Sequence, residues 1–131
     1  MEEKNYIALR RKLEFILNKW IQGTFNELNV MREAENLIEE YIGNNDWPEF
    51  SEDDPRSIAE EAMSMLESLD SNRIIRADIP CFKEFLNTPR GKEKEAWRKW
   101  QEYWDTADYS MRGKVWDQRV KEINKELESE K

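Results

Sequence analysis

What most constrains this chain is the spacing of its apolar residues, which return at i, i+3 and i+4 along most of its length. Residues 5–22 place Tyr6, Leu9, Leu13, Ile16, Leu17 and Trp20 on one helical face. Gly23 and Thr24 then interrupt the pattern, and Thr24 with Glu27 three residues later reads as the capping box of a second helix. That helix carries Leu28, Met31, Ala34, Leu37, Ile38, Tyr41 and Ile42 to a stop at Gly43. Residues 44–54 read as a loop. Asp54 and Pro55 are expected to open a third helix, with Ile58, Ala62, Met65, Leu66 and Leu69 as its buried stripe and Asp70-Ser71-Asn72 as its end. A short fourth helix is expected from Ile79 to Leu86, introduced by Asp78 and Pro80, while Ile74, Ile75 and Ile79 are too few to build a sheet. Thr88-Pro89 reads as the cap and first turn of a fifth helix carrying Ala96, Trp97, Trp100, Tyr103 and Trp104, and the pattern leaves open a break near Asp108. A last helix, about 110–128, is expected to turn Val115 or Trp116, Val120, Ile123 and Leu127 inward. Only four glycines and four prolines occur in 131 residues, which argues against a loop-rich all-β fold. The expected architecture is one all-α domain, residues 1–131, a bundle of five to six helices with short connections and antiparallel neighbours.

Leu, Ile, Val and Phe together number 27, near the level at which disorder competes with folding. Six tryptophans and four tyrosines weigh against disorder. The chain has no histidine, which excludes Ser-His-Asp and Cys-His catalysis, imidazole-bound zinc and the Glu-x-x-His di-metal bundle. The single cysteine, Cys81, excludes an internal disulfide and reads as a small buried apolar group rather than a thiolate at a helix start. No Walker A, GxGxxG or GxSxG motif is present. The expectation is a protein that is not an enzyme and needs no cofactor or metal, with a carboxylate-bound metal hydrolase as a weaker reading. No apolar run approaches a membrane span and the N-terminus does not read as a signal peptide, so a cytoplasmic location is expected.

The net charge is −8, and it is unevenly placed. Thirteen acids and one base, Arg56, lie between Glu33 and Asp70, giving −12 in 38 residues while the other 93 residues carry +4. One reading is a solvated face of two helices and a loop. The sharper reading is a docking surface for a cationic protein, because a merely solubilising surface usually mixes signs. Its residues are Glu39, Glu40, Asp46, Glu49, Glu52, Asp53, Asp54, Glu60 and Glu61, with Trp47 either as an apolar anchor inside the charged rim or as a pin of the loop to the bundle. An acidic surface of this kind does not bind nucleic acid directly. The spacing of the acids in the loop does not match an EF-hand. Trp97, Trp100 and Trp104 share one helix face and fill the core or, as an alternative, present an aromatic surface through which an adaptor or scaffold would bind a partner helix or itself.

The segment Phe15-Ile16-Leu17-Asn18-Lys19-Trp20-Ile21-Gln22-Gly23-Thr24-Phe25-Asn26 resembles the first helix-to-turn of small immunity proteins of the colicin D type, which are likewise short, acidic and all-helical. The resemblance covers about the first 45 residues by pattern, and the part from Pro80 onward has no counterpart in it. It implies a protein that blocks a toxin nuclease by covering the basic active site with acidic side chains. The partner expected from it is a cationic toxin nuclease domain, and oligomeric state is left open. No contact residue is transferred from the family, and the acidic residues above come from the charge window alone.

Overall fold

Six α-helices make up the described part of the chain, residues 5–42 and 57–129 of a computed structural model, with no strand among them. They are α1 (Asn5–Ile21), α2 (Glu27–Ile42), α3 (Ile58–Glu67), α4 (Ile79–Leu86), α5 (Glu93–Asp105) and α6 (Tyr109–Ser129), with one 3-10 turn, Arg76–Asp78, leading into α4. The all-α bundle anticipated from the periodicity is the observed architecture. Gly43, Asp54, Pro55 and the side chains of Tyr6 and Ile42 lie outside the described residues.

The apolar stripes meet where the spacing places them. Leu9, Leu13, Leu17 and Trp20 of α1 are fully buried against Val30 and Ala34 of α2 and Ile58, Ala62 and Leu66 of α3. Ile79, Phe82, Phe85 and Leu86 bring α4 onto the same core. Helices α1 and α4 run antiparallel, tied by Arg10, Glu14 and Asn18 to Thr88, Asn87 and Lys83 in descending order. The Arg10 guanidinium donates to the carbonyls of Leu86 (3.2 Å) and Thr88 (2.9 Å), satisfying groups that the end of α4 leaves unpaired.

The aromatic residues of α5 complete the core. Phe85 stacks on Trp100 with centroids 4.0 Å apart and meets Trp97 edge-on at 5.1 Å, while Phe82 meets Trp100 edge-on at 5.0 Å. Trp97 and Trp100 are buried and Trp104 is half-buried against the core. Trp97 and Trp100 therefore fill the bundle, and Trp104 packs against it while staying partly exposed.

Several helix ends differ from the sequence expectation for local reasons. Helix α2 is opened by Asn26 and Asn29, each side-chain oxygen accepting the other's backbone N–H at 2.9 Å. Glu27, assigned to a box with Thr24, is instead taken by Arg119 of α6. Helix α3 begins at Ile58, and its cap is Ser57, whose hydroxyl accepts the Glu60 N–H at 3.1 Å. Ser57→Ala is expected to cost about 1 kcal/mol, read from urea unfolding, because that N–H loses its acceptor. Thr88 closes α4, donating to the Phe85 carbonyl at 2.6 Å, and a turn through Gly91 (φ +91°) delays α5 to Glu93. The chain does break at Asp108, whose carboxylate accepts the Met111 N–H at 3.0 Å and starts α6.

Helix α6 departs most from its expected face. Trp116 and Ile123 are buried, but Val115, Val120 and Leu127 are exposed. The inward file is Arg112, Trp116, Arg119 and Ile123, with Arg119 half-buried and the others buried, so two of its four positions are arginines.

Candidate functional site

The acidic window falls on α2, on α3 and on the segment between them. Glu39 and Glu40 occupy the last turns of α2, and Glu60 and Glu61 the first turn of α3, two helices that pack against each other. Glu39, Glu40 and Glu60 are exposed and Glu61 is half-buried. Asp46, Trp47, Glu49, Glu52, Asp53 and Asp54 lie outside the described residues. The structure thus places four of the ten expected contact residues, in two pairs flanking the other six in sequence.

Little in the fold uses these carboxylates. Glu40 receives the Lys12 ammonium of α1 at 2.9 Å, an exposed pair that raises the Lys12 pKa through the hydrogen bond. Glu39, Glu60 and Glu61 make no ion pair among the described residues, nor do Glu33 and Glu35. Their backbone is fixed by the Ser57 cap and by the burial of Ala34, Leu37, Ala59 and Ala62 on the opposite sides of the same helices. Fixed, hydrated carboxylates of one sign create a field that reaches about 10 Å at moderate salt and attracts cations without a metal-like cage. Among the described residues no cluster of acids and cysteine is arranged to hold a metal ion.

A second polar centre was not legible in the sequence. Asp78, assigned above only to the start of α4, is fully buried. Its carboxylate accepts both Nη groups of Arg112 (Nη2 to Oδ1 at 2.6 Å), the Tyr103 hydroxyl and the Ile75 N–H at 2.8 Å. The four hydrogen bonds to Asp78 thus join three parts of the fold: one from the residue that opens the 3-10 turn, one from α5 and two from α6. Burial, and then the hydrogen bond to Asp78, push the Tyr103 phenol up to about 12. The same carboxylate holds the Arg112 pKa above its usual value. A similar fork joins Arg119 to Glu27 at 2.7 and 2.9 Å, and Trp116 donates its indole N–H to the Ile74 carbonyl at 2.8 Å. The one signal was Arg112 and Arg119 sharing a helical face with Trp116 and Ile123, which places cations where a buried partner is required.

Cys81 is half-buried, and burial, then the Asp78 charge, push its thiol up to about 11. A thiol so placed stays protonated at neutral pH, contrary to a thiolate stabilised by a helix start. No helix among the described residues is long and apolar enough to cross a membrane.

Set against protein-family models, curated proteins and solved structures, the chain matches none.

Proposed function

We propose that the protein is a stoichiometric inhibitor of the immunity or antitoxin class, which docks its acidic α2–α3 side over the basic active site of a toxin nuclease. The observation that carries this reading is the row of carboxylates on α2 and α3: Glu39, Glu60 and Glu61 meet no cation among the described residues, and Glu40 meets there only an exposed lysine. Crowded like charges repel one another, and a cationic partner relieves that repulsion on binding. A nuclease cleft is cationic because it must hold phosphates. An acidic surface placed over it competes with the nucleic acid by charge and by bulk, and no bond is made or broken. The resemblance of residues 15–26 to colicin D-type immunity proteins supports the same role.

The test is capture of partners by the tagged protein at low salt, elution with a salt step, and assay of the eluted protein for nuclease activity. The reading requires a basic nuclease, bound one-to-one and silenced by re-addition of the protein. Reversing Glu39, Glu40, Glu60 and Glu61 together to lysine is expected to slow association by about tenfold or more, with a smaller change in dissociation. Stopped-flow or surface-binding kinetics measure this directly, and an unchanged association rate with unchanged affinity would remove the α2–α3 side from the interface.

A further inference from the structure

Helices α4 and α5 run antiparallel, as Phe82 and Phe85 meeting Trp104, Trp100 and Trp97 in reverse order shows. Between them lies an open groove of about 840 Å³, on elements distinct from the acidic side. One wall runs from Lys92, just before α5, to Tyr103 of that helix, about 16 Å or three helical turns. Small side chains, Ala77, Cys81 and Ala96, keep it open, and the stacked Phe85–Trp100 pair makes its base rigid. Lys92, the residue that caps α5, and Lys99, seven residues on and within the helix, line its rim and make no ion pair among the described residues. Glu84 lines the α4 side, likewise unpaired. Glu95 also lines the groove, but its carboxylate is engaged by Arg98 at 3.4 Å.

We propose that this groove is the docking site of an amphipathic helix from another protein: apolar where it enters, acidic at positions seven apart on the flank facing α5, and basic on the flank facing α4. The shape argues for a helix. A trough about three turns long between antiparallel helices, with an aromatic base and small residues along its sides, accepts a third helix by ridge-into-groove packing. The charge argues for the pattern. Two lysines seven residues apart, unpaired among the described residues, meet acids one heptad apart, and Glu84 across the groove rejects an acid and accepts a base, so the rims fix both partner and orientation.

The test uses the full chain and two fluorescein-labelled peptides of about 20 residues, long enough to hold helical structure. Both carry leucine along one heptad stripe. One has glutamate at the two α5-facing positions and lysine opposite, and the other has these charges exchanged. The first is expected to bind at least about tenfold tighter by fluorescence anisotropy. Lys92→Glu combined with Lys99→Glu, at exposed positions whose loss leaves the fold intact by circular dichroism, is expected to reverse the preference. Bound peptide is expected to slow alkylation of Cys81, inside the groove, by about tenfold. Equal binding of the two peptides, no binding, or binding that leaves Cys81 equally reactive would overturn the proposal. Protection of Cys81 that rises with protein concentration alone would overturn it too, assigning the groove to a second copy of the chain.

Discussion

Arg112→Met is expected to lower stability by about 3–5 kcal/mol, the cost of leaving a buried charge without its partner. Asp78 is fully enclosed, and Arg112 supplies two of its four hydrogen bonds. In a domain of this length the melting temperature should fall by about 10–20 °C. The loss is of α6 first, because undocking that helix lets water reach Asp78. Hydrogen exchange resolved by segment should therefore show 109–129 opening before the amides of α1 and α3. Adding Asp78→Leu to Arg112→Met is expected to restore part of the stability, since the uncompensated charge is then gone. The recovery is incomplete, because the Ile75 N–H and the Tyr103 hydroxyl lose their acceptor, at about 1–3 kcal/mol for a buried group. A double variant no more stable than Arg112→Met alone would mean that the cost lies in the arginine's packing and not in the stranded carboxylate.

The second large effect is at Trp20. Trp20→Ala is expected to cost about 3–5 kcal/mol, because the largest fully buried side chain of α1 would leave a cavity among helices already packed on it. Trp20→Phe should cost far less, under about 1.5 kcal/mol. The indole N–H of Trp20 is buried without an acceptor among the described residues, and phenylalanine removes that unsatisfied donor while keeping most of the ring volume. Denaturant unfolding of the two variants separates volume from polarity. Equal losses would show that the N–H has an acceptor in the folded protein.

Periodicity made the helices legible, and it did so best where local chemistry and burial agree. Helix α4 runs over the expected Ile79–Leu86, because Pro80 suits a first turn and Phe82, Phe85 and Leu86 fall on its buried face. The errors arose where a distant residue overrode a local motif. Thr24 and Glu27 have the spacing of a capping box, but Glu27 is held by an arginine 92 residues away. Thr88-Pro89 has the look of a helix start, but Thr88 serves the preceding helix instead. Val120 and Leu127 continue a heptad-like apolar series along α6, yet the bundle covers the neighbouring file that contains Arg112 and Arg119. Ion pairing across the fold leaves no periodic trace, so Asp78 was visible only as a residue before a helix. The acidic window was legible as charge, and its exposure at Glu39, Glu40 and Glu60 follows from the apolar faces opposite.

The partner of Asp78 also imposes an order in time. The two residues are 34 positions apart, so at a synthesis rate of about 5–20 residues per second Arg112 is added about 2–7 s after Asp78. Helices α1 to α4 can collapse on their apolar faces within a small fraction of that interval. During the wait the carboxylate must remain hydrated, which keeps the 3-10 turn and the end of α5 from closing over it. The nascent bundle is thus held short of completion until its last helix is made, and that helix arrives carrying the counterion that permits closure.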